Sequence, residues 1–101
     1  MQLAEAIFNL GDHPDEAILF AERIDGHFSP ESPVVILSLD DVELAQPTAE
    51  VAASKAPGTD YFLEAFLIRD MVADWQGTRA ENSISISQLV DRIIHYAEHD
   101  A

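Results

Sequence analysis

The chain has 101 residues, of which 48% are hydrophobic, and its formal net charge is -14 at pH 7. This length and apolar content predict a single domain, residues 1–101, with a buried core. The absence of cysteine excludes a disulfide framework, a thiol nucleophile and Cys-ligated zinc, and the strong negative charge disfavours direct binding to nucleic acid or anionic lipid. Without a signal-peptide pattern or a membrane-length apolar run, the sequence predicts a cytoplasmic protein.

The first half of the chain predicts one helix and two strands. Apolar residues at helical spacing predict a short amphipathic helix over residues 2–10, with Gly11 as its C-cap. Residues 17–24 and 34–39 are apolar runs bounded by turn residues, which is typical of strands. The Asp-Gly pair at 25–26 favours antiparallel pairing of the two, and the β-branched character of 34–39 predicts a central, well-buried second strand.

The middle of the chain is less regular. Residues 43–60 predict a mobile loop that contains a short helix capped by Thr48. Residues 61–68 form an apolar run that is either a strand or the start of a helix, because periodicity does not separate the two at this length. We favour a strand here, followed by a helix over residues 69–76 that Gly77 stops.

The last helix is the clearest element, and it completes the predicted fold. Residues 84–98 have helical periodicity, and Ser85 with Gln88 forms a capping-box pattern at the start. The predicted apolar face consists of Ile86, Leu89, Val90, Ile93, Ile94 and Ala97. We therefore expect an α+β fold in which an antiparallel sheet of about three or more strands carries the N-terminal and C-terminal helices on one face.

The acidic residues are unevenly distributed. Residues 1–50 hold 11 acids and one base, whereas residues 51–101 hold 8 acids and 4 bases. Between Arg23 and Lys55 there is no base at all. The candidate partner-binding residues are the acids of this base-free stretch: Asp25, Glu31, Asp40, Asp41, Glu43 and Glu50. Such a stretch attracts basic surfaces.

Two patterns suggest metal chemistry as an alternative. His95, Glu98 and His99 match the H-x-x-E-H pattern, in which two histidines bind zinc and the glutamate activates water. The Asp40-Asp41 pair follows a strand, where carboxylates of metal-dependent nucleases often lie. Neither pattern has the further ligand or phosphate-binding base that such sites need. We therefore expect no cofactor, no metal and no catalytic residue, and leave a small metal-dependent hydrolase as the alternative.

Four stretches occur in a characteristic order along the chain. They are Leu10–Phe20, with a leader helix, Pro14-Asp15-Glu16-Ala17 and a strand; Val34–Asp41; Tyr61–Glu64; and Tyr96–Asp100. In this order the chain resembles a family of small, acidic, uncharacterised bacterial proteins, some of which are encoded near polymorphic-toxin and defence genes. The resemblance implies that this protein, too, is connected with toxin or defence systems. It carries over no catalytic residue, because the family has none assigned.

These observations favour a binding protein over an enzyme. The sequence predicts a non-enzymatic acidic protein that binds and blocks a basic partner, such as a toxin or a nucleic-acid-binding defence protein. An immunity protein and a nucleic-acid-mimicking inhibitor of phage type both belong to this class. Besides the hydrolase, the alternatives are a structural or regulatory subunit, which includes a homodimer formed through a strand edge or the last helix, and acidity that reflects only solubility or host adaptation.

Overall fold

A computed structural model describes residues 1–11, 13–82 and 85–99. Asp12 in the stretch Leu10–Phe20, Ile84 at the predicted start of the last helix and Asp100 in the terminal stretch lie outside the described residues. The elements in chain order are α1 (Leu3–Phe8), β1 (Ile18–Ala21), β2 (Val34–Leu37), α2 (Asp41–Leu44), α3 (Thr48–Lys55), β3 (Asp60–Glu64), α4 (Ala65–Asn82) and α5 (Ile86–His99). The predicted α+β class is confirmed.

The three strands form an antiparallel sheet in the order β2-β1-β3. The predicted antiparallel pairing of the first two strands is therefore confirmed, with Ile18 opposite Leu37 and Ala21 opposite Val34. The prediction that the second strand is central and well buried was wrong. All four residues of β1 are buried, whereas β2 is an edge strand that is mostly half-buried. The burial of a strand depends more on whether it has a neighbouring strand on each side than on its number of β-branched residues.

The sheet separates two apolar clusters. On one face, Leu19 and Ala21 pack in a cluster with buried residues of α1, α4 and α5, so the terminal helices share this face as predicted. On the other face, Ile18 and Phe20 pack against buried residues of α3. Alternate residues of β1 thus enter different clusters, as the two-residue period of a strand requires.

The transition from β3 to α4 lies earlier than predicted. The strand ends at Glu64 and the helix begins at Ala65, so the predicted strand to residue 68 was wrong in its last four residues. Ala65 and Ile68 are both buried. Residues three apart lie on one face of a helix, so burial of both favours a helix over a continued strand. Gly77 does not stop α4, which continues to Asn82. An interior glycine costs a helix about 1 kcal/mol relative to alanine, which flanking turns can offset.

The segment that was predicted as a loop holds two helices. Helix α2 (Asp41–Leu44) was not predicted, and α3 confirms the short helix over the following residues. Pro47, rather than Thr48, is the N-cap of α3, and no side-chain hydrogen bond caps this helix. The φ angle of proline is fixed at a value that suits the start of a helix. Pro47 can therefore occupy the N-cap position that the sequence predicted for Thr48.

The terminal helices follow the predictions with local differences. Helix α1 ends at Phe8 with Asn9 as its C-cap, and the predicted cap Gly11 instead adopts a left-handed φ of 53° in the following turn. The capping box of α5 is confirmed: the backbone N–H groups of Ser85 and Gln88 donate to each other's side chains at 3.0 and 3.2 Å. The start of the predicted apolar face was wrong, because Ile86 is 55% exposed. Among the described residues, no helix is long and apolar enough to cross a bilayer.

Candidate functional site

The structure divides the predicted partner-binding residues between the two ends of the sheet. Asp25 and Glu31 lie in the connection from β1 to β2, at one end. Asp40, Asp41 and Glu43 follow β2, at the other end, whereas exposed Glu50 lies in the first turn of α3. Strands of this length separate the two ends by roughly 10 Å. This exceeds the Debye length of about 8 Å at physiological salt, so carboxylates at opposite ends of the sheet are largely screened from one another.

Two of these carboxylates have structural partners. Asp40 and Glu43 form a capping box at the start of α2, in which the backbone N–H of Glu43 donates to Asp40 Oδ1 at 2.8 Å and that of Asp40 donates to Glu43 Oε1 at 3.0 Å. The Lys55 ammonium forms an ion pair with the other oxygen of Glu43. The hydrogen bond from Lys55, together with that from the Asp40 backbone, lowers the pKa of Glu43. Glu43 therefore stabilises α2 and its contact with α3.

A groove lies at this end of the sheet, where β1 begins and β3 ends. It has a volume of about 290 Å³. We call it the acidic groove, and its lining residues are Asp15, Glu16, Ile18, Leu44, Glu64 and Phe66. Leu44 of α2 is 50% exposed and Phe66 of α4 is 39% exposed, although both are large apolar residues. The groove therefore combines an apolar interior with carboxylates on its rim.

The backbone around the groove is held by hydrogen bonds between α4 and the segment that precedes β1. The first two residues of α4, Ala65 and Phe66, donate their N–H groups to the carbonyls of Ala17 and Asp15 at 2.8 and 3.1 Å. These are N–H groups that lack partners within the helix itself. Arg69, one turn further along, donates to Asp15 Oδ1 at 2.6 Å and to two carbonyls of the preceding loop. The position of Phe66 relative to the strand is thus determined by main-chain contacts.

A β-bulge in β3 places Glu64 at the groove. The register with β1 shifts between Leu19 and Phe20, so that Leu63 lies opposite Leu19 while Tyr61 lies opposite Phe20. One extra residue in β3 therefore puts Tyr61 and Glu64 on the same face, although regular alternation would put residues three apart on opposite faces. Burial raises the pKa of Tyr61, and the charge and hydrogen bonding of Glu64 raise it further. Glu64 consequently lies beside a neutral hydroxyl.

Some carboxylates near the groove have no cationic partner. Asp15 is paired with Arg69, yet its side chain stays 72% exposed. Among the described residues, no Lys, Arg or His lies within ion-pair distance of Glu16 or Asp41. Asp41 precedes Leu44 by three residues in α2 and so lies on the same side of that helix. The groove end of the sheet thus presents uncompensated negative charge beside exposed apolar side chains.

At the other end of the sheet, Arg23 contacts Asp60 and Glu98, whereas exposed Asp25 and Glu31 have no cationic partner among the described residues. The backbone N–H of Phe28 donates to Glu98 Oε1 at 2.8 Å, and the guanidinium of Arg23 lies 4.3 Å from the centroid of the Phe28 ring. Arg23 Nε also donates to Asp60 Oδ2 at 3.1 Å. Only 13% of the Glu98 side chain is exposed. We call this end of the sheet, which also carries Asp25 and Glu31, the network end. The contacts of Arg23, Phe28, Asp60 and Glu98 join α5 to the sheet.

This arrangement gives Glu98 a structural role that the H-x-x-E-H pattern did not predict. The rings of His95 and His99, one turn apart on α5, have centroids 4.5 Å apart and are tilted at 43° to each other. Glu98 instead contacts Arg23, His27 and the Phe28 backbone. Within the part of the chain that the structure describes, no group of three His, Cys, Asp or Glu side chains could hold a metal ion. The hydrolase alternative therefore gains no support from the geometry.

The acidic groove was not predicted from the sequence. Asp15, Glu16 and Glu64 were not among the predicted site residues, because they lie outside the base-free stretch. About 50 positions also separate Asp15 from Glu64 in the sequence. One local feature of the sequence could have indicated the groove: Leu44 is an apolar residue within an acidic segment. Comparison with protein-family models, curated proteins and solved structures finds no match for the chain. The resemblance to acidic bacterial proteins stays a prediction.

Proposed function

We propose that this chain is a non-enzymatic, cytoplasmic interaction protein that binds a basic protein partner and blocks it. The class that we propose includes immunity proteins and nucleic-acid-mimicking inhibitors of toxin or defence proteins. The observation that carries the proposal is the groove end of the sheet, where Glu16 and Asp41 lack a cationic partner among the described residues and lie near exposed Leu44 and Phe66. A typical protein interface combines an apolar centre with a polar rim.

The overall charge supports the same partner. Three of the five bases, Arg23, Lys55 and Arg69, already form ion pairs with carboxylates of the chain itself. The net charge of -14 is therefore a surplus that these internal pairs do not remove. A field of this sign accelerates encounter with a positively charged protein and does so less at high salt. It also opposes approach to the phosphates of nucleic acid or of anionic lipid.

The location of positive charge on such a partner explains how binding would block its activity. A protein that handles nucleic acid carries its positive charge in the surface that holds phosphates. Carboxylates presented by a rigid sheet end compete for that same surface. Inhibition by occupation requires no chemistry from this chain, which is consistent with a groove lined by carboxylates and apolar side chains.

The test is capture of the partner from a lysate of the native host on the immobilised chain, at low and at high salt. A basic protein that is retained at low salt, elutes at high salt and loses activity when the purified chain is added would support the proposal. Retention of no specific protein at low salt, or of a partner whose activity is unchanged, would contradict it.

Two double variants with the same change in charge make this test specific. The groove double variant combines Glu16→Gln with Asp41→Asn. The helix double variant combines Glu5→Gln with Asp91→Asn, at exposed positions of α1 and α5. We expect the groove double variant to weaken binding about tenfold and the helix double variant about twofold or less, because a specific contact contributes more than a distant screened charge. Equal weakening by both would mean that only net charge matters.

A further inference from the structure

The acidic groove has the dimensions of a site for one or two side chains. Its volume of about 290 Å³ lies at the lower limit of the roughly 300–1,000 Å³ that is typical of small-molecule sites. Ile18 contributes a buried side chain to its floor, and Leu44 and Phe66 contribute exposed apolar surface. The groove is therefore too small for a folded element but large enough for side chains that project from a partner's surface.

The rim restricts what can enter. Glu16, Glu64 and Asp15 place carboxylates around the apolar interior, and Ile18 lies directly opposite Glu64 in the strand pairing. Directly opposed strand residues have Cβ atoms about 4.5–5.5 Å apart. A purely apolar side chain would leave Glu16 and Glu64 without a cationic partner among the described residues, and an acidic one would be repelled. The complementary group is a cation that also carries apolar surface.

The network end of the same chain shows how such a cation is held. There the Arg23 guanidinium lies over the Phe28 ring at 4.3 Å while its Nε donates to Asp60 at 3.1 Å. An aromatic ring and a carboxylate thus bind one guanidinium together. The acidic groove offers the same two groups, the exposed Phe66 ring and the rim carboxylates, without an arginine of the chain on that ring among the described contacts. A guanidinium suits them better than an ammonium because it is planar, weakly hydrated and able to stack.

We infer that the acidic groove binds an arginine, followed by an apolar residue, from an exposed segment of the basic partner protein. The guanidinium contacts Phe66 and the carboxylates of Glu16 and Glu64, and the apolar side chain packs on Leu44. This inference rests on the proposed function and adds to it the site and the chemistry that is recognised. Apolar contact at the centre with charge around it is the arrangement that concentrates binding energy in a few residues.

The experiment is a titration of the isotope-labelled full chain, followed by backbone amide chemical shifts. The probe is a six-residue peptide with blocked termini and a central Arg-Leu pair. Two matched peptides carry Arg-Ser or Glu-Leu at the same place. We expect saturable shifts for the Arg-Leu peptide at Glu16, Ile18, Leu44 and Glu64, about fivefold weaker binding of the Arg-Ser peptide, and no binding of the Glu-Leu peptide.

Matched variants of the chain test the same contacts from the other side. Leu44→Ser should weaken binding of the Arg-Leu peptide about fivefold, whereas Val42→Ser, at a more exposed position of α2 outside the groove, should leave it unchanged. Glu16→Gln should weaken it and Glu5→Gln should not. All four positions are on the surface, and circular dichroism verifies that each variant is folded.

The outcomes separate this inference from the proposed function. Equal binding of the Arg-Leu and Arg-Ser peptides, shifts centred on the network end, or no shifts with any peptide would each overturn the groove as the site. Capture of a basic partner with equal affinity for Leu44→Ser and Val42→Ser would do the same while leaving the proposed function intact. Failure to capture any basic partner with the unaltered chain would overturn the proposed function itself.

Discussion

The two ends of the sheet use the same kinds of residue for different purposes. At the network end, Arg23 pairs with the carboxylates of Asp60 and Glu98 and lies over the buried Phe28 ring. At the groove end, carboxylates surround the exposed Phe66 ring. The difference teaches that acidity alone does not identify an interaction surface. What distinguishes the groove end is a groove in which carboxylates and the exposed side chains of Leu44 and Phe66 lie together.

The largest expected effect comes from the two phenylalanines that define these ends. Phe28→Ala should lower the free energy of unfolding by about 3–5 kcal/mol, because a buried ring that packs edge-to-face on Phe62 is lost. Phe66→Ala should cost about 1 kcal/mol or less, since that ring is partly exposed. Urea denaturation of both variants measures the difference. Similar losses of stability would mean that Phe66 is a core residue.

A smaller effect is expected for the carboxylates. Glu98→Ala removes the acceptor of the Phe28 N–H and a partner of Arg23, so it should destabilise the chain by about 1–3 kcal/mol. Glu16→Ala removes an exposed side chain without a cationic partner among the described residues and should change stability by about 0.5 kcal/mol or less. Thermal unfolding at neutral pH compares the two. Equal destabilisation would remove the distinction between the ends.

The smallest effect concerns Glu43, a groove-end carboxylate that forms an ion pair with Lys55. Its pKa is lowered from the ordinary 4.5 by the Lys55 and Asp40 hydrogen bonds. Its contribution to stability is therefore fully present above pH 4.5 and disappears as the pH falls through the lowered pKa. Unfolding of the Glu43→Gln variant should accordingly depend less on pH below 4.5 than that of the unaltered chain. The same acid dependence in both would show that the Lys55 pair does not contribute.

Local patterns along the sequence were sufficient for much of the fold. The capping box at Ser85 and Gln88 and the helical spacing after it predicted α5, because these signals depend only on residues three or four apart. The antiparallel pairing of β1 and β2 was also predicted, although the Asp25-Gly26 turn closes a bridge between Ile24 and His27 within the longer connection of residues 22–33. Elements that are stabilised by their neighbours in sequence are the ones that sequence patterns reveal.

Features that depend on distant contacts were not predicted. The central position belongs to β1 because β3, about 40 residues later, pairs on its second side. The acidic groove requires the start of β1, the end of β3 and α2 to meet, and it depends on the bulge that turns Glu64 to that face. Asp40 and Asp41 were predicted from charge alone, whereas their neighbours Asp15, Glu16 and Glu64 come from other segments. Charge counted along the chain cannot show which carboxylates share a surface.

The most direct test of the central claim is the dissociation constant of the captured basic partner for three charge-matched forms of the chain. These are the groove double variant, the helix double variant, and a network-end double variant that combines Asp25→Asn with Glu31→Gln. We expect about tenfold weaker binding for the groove double variant and about twofold or less for the other two. Weaker binding by the network-end double variant than by the groove double variant would contradict the claim that the groove end is the interaction surface.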